Sequence, residues 1–241
     1  MANYYLTEDP RLNVSRGLVK GAQHVHVLGY NPDIDTGTDP ETVWVTGGEY
    51  PWSTLTSANT IYYSSNNAAD TMQLFVSGLD NDFNVVTETI TLTGTTPVAG
   101  AVKLRRINDA YITDEINHGE IVMRFANTTG TVVDSMAVGY GQNTTGVYTI
   151  PAGKTGYLYA GDASTNLNKE TTIVFRIRLN DGGMRVAHIA ELSNGAYRYD
   201  FHFPAALPEK SDLEVYVVNT LDNNTRVACN FDLLLVDTPI R

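Results

Sequence analysis

The chain has 241 residues, of which 42% are hydrophobic and only 18% charged, with a formal net charge of -11. That length can build one large β domain or two smaller ones. So acidic a chain is repelled by phosphate backbones and anionic lipids, and no run approaches the roughly 20 apolar residues of a membrane span, so neither nucleic acid nor membrane is an expected partner.

Residues 1–32 read as an extended N-terminal arm. It carries a few apolar anchors (Leu6, Val14, Leu18, Val19) and one alternating stretch, His24 to Tyr30. Such an arm can lie on its own domain or on a neighbouring subunit. The first ten residues have no basic n-region and no apolar h-region, so no secretory signal is expected.

A first β-sandwich is expected over 33–128. Glu41–Val45, Thr60–Ser64, Met72–Gly78, Val85–Thr93, Ala101–Ile107, Ala110–Thr113 and Glu120–Ala126 are short strands separated by Gly, Asn, Asp and Pro. The polar stretch Asn127-Thr-Thr-Gly130 is a plausible boundary. A second domain over 129–241 then holds Val132–Gly139, Gly146–Ile150, Gly156–Tyr159 and a clear alternating run. In Thr171–Leu179, Met184–Glu191 and Ala196–Phe203 apolar and polar residues take turns, which sends them to opposite sheet faces. Asp181-Gly182 and Asn194-Gly195 supply positive φ for two-residue turns, so a three-stranded meander is expected. Leu213–Asn219 and Thr225–Val236 close the chain. About eight strands in this half is the number a jelly roll uses. The fold expectation is therefore all-β: two β-sandwich domains, the C-terminal one jelly-roll-like, with an extended N-terminal arm. The lone cysteine, Cys229, alternates with Val227, Phe231 and Leu233 and should face a core.

Several separate segments resemble a family of uncharacterised virion proteins of environmental tailed bacteriophages. They are Asp39-Pro-Glu-Thr-Val-Trp44 with Gly47-Gly-Glu-Tyr-Pro-Trp52, Tyr148-Thr-Ile-Pro-Ala-Gly-Lys154, Pro208-Glu-Lys-Ser-Asp212 and Phe231-Asp-Leu-Leu-Leu-Val-Asp237. The third-quarter segment is similar to that family's "YTVPAGKT". The resemblance runs from about residue 33 to the end and implies a phage structural protein with no catalytic residues to carry over.

Candidate chemistry is sparse. Asp33, Asp35 and Asp39 alternate as hard-cation ligands can, but the spacing is not that of an EF-hand and an acidic turn explains them as well. His24 and His26 share a strand face without a third ligand fixed by sequence. His188 and His202 lie on the meander with no nucleophile tied to them. Neither a metal nor any other cofactor is expected. Trp44, Tyr50, Trp52, Tyr62 and Tyr63 cluster in sequence and fit either a sandwich core or a face that stacks on sugars. Tyr197 and Tyr199 alternate with charge, as in a tyrosine-rich subunit interface. The functional expectation is a non-enzymatic virion component, a capsid decoration or cement protein on the head surface. Its partners would be copies of itself, a trimer being the guess, and other virion proteins such as the major capsid protein. A neck, tail or fibre component, including a glycan-binding host-recognition module, is the alternative.

Overall fold

The computed structural model describes residues 9–37, 40–166, 170–193 and 195–238. A short helix, α1 (Pro10–Ser15), is capped by Asp9, whose carboxylate accepts the Arg11 and Leu12 N–H groups. It precedes β1 (Ala22–Ile34) and β2 (Glu41–Thr42). Then come β3 (Asn59–Ser65), β4 (Gln73–Leu79), β5 (Val85–Thr91), β6 (Val98–Leu104), β7 (Arg106–Ile112), β8 (Ile121–Phe125) and β9 (Val132–Met136). The final group is β10 (Val147–Thr149), β11 (Lys154–Thr165), β12 (Thr171–Arg178), β13 (Arg185–Leu192), β14 (Ala196–Leu207), β15 (Asp212–Thr220) and β16 (Thr225–Asp237).

These strands form two sandwiches. In the larger, one sheet has the order β1-β16-β11-β14 and the other β10-β15-β12-β13, with β2 also on β15. When β2 and β10 are counted as one strand, eight strands wrap in the order of a jelly roll. The period-two pattern explains its core. On β16, Val227, Cys229, Phe231, Leu233 and Leu235 all point inward, and they meet Ile173, Leu213, Val215 and Val217 from the facing sheet. The smaller sandwich packs sheet β6-β3-β8-β9 against β5-β4-β7 around Ile61, Tyr63, Leu74, Val76, Ile121, Met123 and Met136.

The smaller sandwich is spliced into a single strand of the larger one. Glu41 and Thr42 pair with Val217 and Tyr216, while Val147, Tyr148 and Thr149 pair with Glu214, Leu213 and Asp212. Between them the ladder is unbroken. Val43 N–H donates to Val215 C=O at 3.0 Å, Gly146 N–H to Val43 C=O at 2.9 Å and Val215 N–H to Gly146 C=O at 2.9 Å. The chain thus leaves the strand at Val43 and rejoins it at Gly146. Two glycines make the crossing possible, since a Cβ on Gly29 would sit 2.5 Å from Cys229 Sγ and 2.8 Å from both Gly146 Cα and Val43 O.

The all-β, two-sandwich expectation stands, and the C-terminal sandwich is a jelly roll. One open alternative is resolved for the arm's strand, and two details differ from expectation. The alternating stretch of the N-terminal arm lies on its own chain, as β1, antiparallel to β16. The expected boundary at 128/129 falls inside the smaller sandwich, because Asn127 to Gly130 is the β8–β9 hairpin turn. Thr129 N–H bonds the Asn127 side chain, and Gly130 N–H bonds its carbonyl. A polar turn inside a sheet and a polar linker between domains are made of the same residues.

The second difference concerns the meander, which holds only for β12 and β13. β14 crosses to the other sheet and pairs with β11. A turn signal specifies a chain reversal but not which sheet receives the next strand. At the first turn the positive φ angles fall on Asn180 (47°) and Asp181 (58°), one residue earlier than the Asp-Gly pair suggests. At the second, Gly195 has φ 98° and Asn194 lies outside the described residues.

Candidate functional site

The aromatic residues of the first region do not form an open face. Trp44, Tyr50, Trp52 and Tyr63 are buried, and only Tyr62 is partly exposed. Trp44, Tyr50 and Trp52 stack in sequence, with centroids 5.4 and 4.5 Å apart. They seal the junction of the two sandwiches. The Trp52 indole N–H donates to the Glu214 carboxylate at 3.0 Å, and the guanidinium groups of Arg106 and Arg178 lie 5.2 and 4.8 Å from the Trp52 ring. The sugar-stacking reading of these four residues is therefore corrected: their faces are spent on protein.

A buried ion network continues from this seal. Arg106 on β7 grips Asp212 on β15 through two nitrogens, at 2.9 and 3.3 Å, and both side chains are buried. Arg178 donates to the same carboxylate at 2.9 and 2.5 Å, and the Thr149 hydroxyl at 2.5 Å. Glu214, two residues on, receives Arg176 at 2.7 Å together with Trp52 and the Thr42 hydroxyl. Burial pushes the Glu214 carboxyl up, with Arg176 opposing. Asp134 is a third buried acid. It accepts from Thr145 (2.5 Å), Asn143 (2.9 Å) and the Ser135 N–H (2.8 Å), yet burial still raises it to about 7. In each case the carboxyl oxygens are occupied by donors of the surrounding strands and connecting segments, which is the chemistry of a fastening.

The acidic turn near residue 35 has a similar role. Asp35 accepts the Asn224 N–H at 2.9 Å, and the Asn223 side chain accepts the Thr36 N–H at 2.9 Å, so this turn is laced to the β15–β16 turn. Asp33 is exposed and Asp39 lies outside the described residues. Among the described residues no three His, Cys, Asp or Glu side chains converge as metal ligands. His24 and His26 do share a face, and both point a ring nitrogen at Asp232 Oδ1, at 2.9 and 2.8 Å. Asp232 sits directly opposite His26 on β16. Its carboxyl is held below the usual range by hydrogen bonds to the two imidazoles, although burial opposes this. Sequence alone could not find Asp232, because its position depends on a register spanning most of the chain.

Val186, Ile189, Tyr199 and Phe203 bring exposed apolar surface to the lateral edge of the jelly roll, where β13 ends one sheet and β14 ends the other. Tyr197 and Tyr199 are brought together here with His188 and Phe201. The His188 Nε2 lies 2.8 Å from the Tyr197 hydroxyl, its ring is 4.7 Å from that of Tyr199, and Tyr199 meets Phe201 edge-on at 4.7 Å. These four line a small apolar mouth between the sheets, floored by Phe175, Ile173 and Val215. Around it Phe203 is 91% exposed, Val186 51% and Tyr199 40%, while Ile189, 57% exposed, alternates with His188 and Ala190 and lies on the outer face of β13. Phe203 stands out because β14 bulges: Leu158 pairs with Ala205 and Ala160 with Asp200, so Phe201 to Pro204 face a single residue of β11. His202, expected on the meander, is exposed on this bulge.

No family model matches the chain, and no curated protein matches it. Among solved structures it is similar to infectious bursal disease virus, Gx strain, at 10% identity over 91% of this chain and 73% of that one, with a TM-score of 0.29. The VP2 subviral particle of infectious bursal disease virus follows at 8% identity, 90% and 73% coverage and a TM-score of 0.23. At such scores the likeness carries no argument about function.

Proposed function

We propose that this protein is a non-enzymatic structural subunit of a virion, working by association on the head surface of a bacteriophage as a decoration or cement protein. The observation that supports this best is the lateral edge of the jelly roll. There two sheets end side by side in strands that, among the described residues, pair on one side only, and Val186, Ile189, Tyr199 and Phe203 face solvent. An apolar patch joined to unpaired strand edges favours protein contact. The motif resemblance supplies the phage assignment. The fastened junction supports it too, since a shell component must carry load between its lobes without hinging.

Co-sedimentation with purified phage capsids lacking the protein tests the reading. Wild type should pellet with the particles, and the triple variant Val186→Ser, Ile189→Ser, Phe203→Ser should bind at least about tenfold more weakly. A protein that stays monomeric and also fails to pellet with heads or tails has no place in such a shell.

A further inference from the structure

We propose that the free edge of β14 is a self-complementary dimer seam, with a molecular two-fold axis passing through Tyr199. The inference deepens the association reading above and rests on it.

The seam is written in the residues either side of Tyr199. In order they are Tyr197, Arg198, Tyr199, Asp200 and Phe201: aromatic, cation, tyrosine, anion, aromatic. An antiparallel pairing of this segment with a second copy, centred on Tyr199, places Arg198 opposite Asp200 of the second copy and Asp200 opposite its Arg198. The same register sets Tyr197 against Phe201 of the second copy and Tyr199 against itself. A two-fold contact requires that if one residue meets another, the second meets the first. Few short segments meet that demand in both charge and size.

The structure leaves the strand available for it. Among the described residues β14 pairs only with β11, through Ala160 to Ser164, so its other edge carries unpaired backbone groups over the same stretch. Arg198 and Asp200 are each 68% exposed and meet one another at 3.1 Å within the strand. In the dimer each would exchange that contact for a partner directly across, where opposite charges stabilise and like charges destabilise. Tyr197, Tyr199 and Phe201 sit on the other face, already ordered by His188. Two four-stranded sheets would thereby become one continuous sheet, its apolar mouths side by side. The symmetry favours an even-numbered assembly over the trimer expected from sequence.

Charge reversal tests the seam. In sedimentation velocity at micromolar concentrations, wild type should run at about twice 26.4 kDa. Arg198→Asp or Asp200→Arg alone places like charges across the axis twice and should raise the dimer dissociation constant at least about tenfold. The double variant Arg198→Asp, Asp200→Arg restores opposite charges and should recover wild-type association to within about threefold. Far-ultraviolet circular dichroism of these variants should match wild type, which separates lost association from lost folding, while Arg198→Asp should also lower the melting temperature modestly because position 198 faces Asp162 of β11 within its own chain. In parallel, Tyr199→Cys should form an intermolecular disulfide on mild oxidation. Directly opposed residues of antiparallel strands have Cα atoms about 4.5–5.5 Å apart, within disulfide reach. Dimers unaffected by either reversal, or a double variant that stays dissociated while folded, would overturn the seam and leave self-assembly itself intact. A wild type that remains a single chain overturns the seam as well, and its binding to capsids then decides the broader reading separately.

Discussion

Asp212 is the residue on which the junction turns. It receives Arg106, Arg178 and Thr149 in a place sealed from water. Removing one member of a buried pair strands the others, and the cost is about 3–5 kcal/mol. Asp212→Ala should therefore lower stability in urea titration by that amount. Replacing Arg106 and Asp212 together by Met and Leu should cost far less, because no charge is left behind. Asp134 predicts a pH dependence. Its carboxyl is raised to about 7 by burial, so between roughly pH 4 and pH 7 the folded chain holds a proton that the unfolded chain has released. Stability contributed by this group thus falls as pH rises through that window and is level above it. Asp134→Asn should flatten the window in denaturation curves measured from pH 4 to 8. None of this was legible in the sequence. Asp134 and Glu214 look there like ordinary polar positions of strands and Asp212 like the polar end of the segment before one, and only tertiary packing buries them.

At the scale of elements, strands were readable and their partners were not. The alternation on β16 comes from one buried face and the structure keeps it along the whole strand, whereas on β12 and β13 it is interrupted by a register shift between Phe175 and Arg176. β11 and β14 run longer than their patterns suggest, because the register shift at Tyr159 and the Phe201–Pro204 bulge interrupt the period without ending the pairing. Trp44 and Trp52 showed the limit of composition, since aromatic density marks both cores and ligand faces, and burial decided for the core. Tyr197 and Tyr199 read in the sequence as one face of a strand because they alternate with charge, and the structure sets both at the free edge of β14. Phe201 belongs to the same alternating series, whereas His188 joined them only through folding. One close approach carries a prediction: Gly29→Ala puts a methyl group against Cys229 and the Val43 carbonyl and should cost about 1–3 kcal/mol, read as a lowered melting temperature.

Taken whole, the protein is two sandwiches that share one strand and one buried network. Arg105 and Arg106 reach Asp181, Trp52 reaches Glu214, and the Asn108 side chain both donates to Thr149 C=O (2.8 Å) and accepts its N–H (3.0 Å). Val147 of the larger sandwich packs into the core of the smaller one. With so much held in common, calorimetry should show a single transition for wild type. Asp212→Ala should split or broaden it. The shared strand also orders events in time. The ends at Val43 and Gly146 are hydrogen-bonded neighbours in space but are separated along the chain by an entire folded module. Bringing them together through a floppy loop costs entropy, whereas a module that has already collapsed holds its two exits close. During synthesis the interior module can therefore condense first and act as a jig, presenting both halves of the strand to β15 only when that late segment emerges. A pulse-labelling experiment would see amides of Ile61 and Met123 protected before those of Val43 and Tyr148.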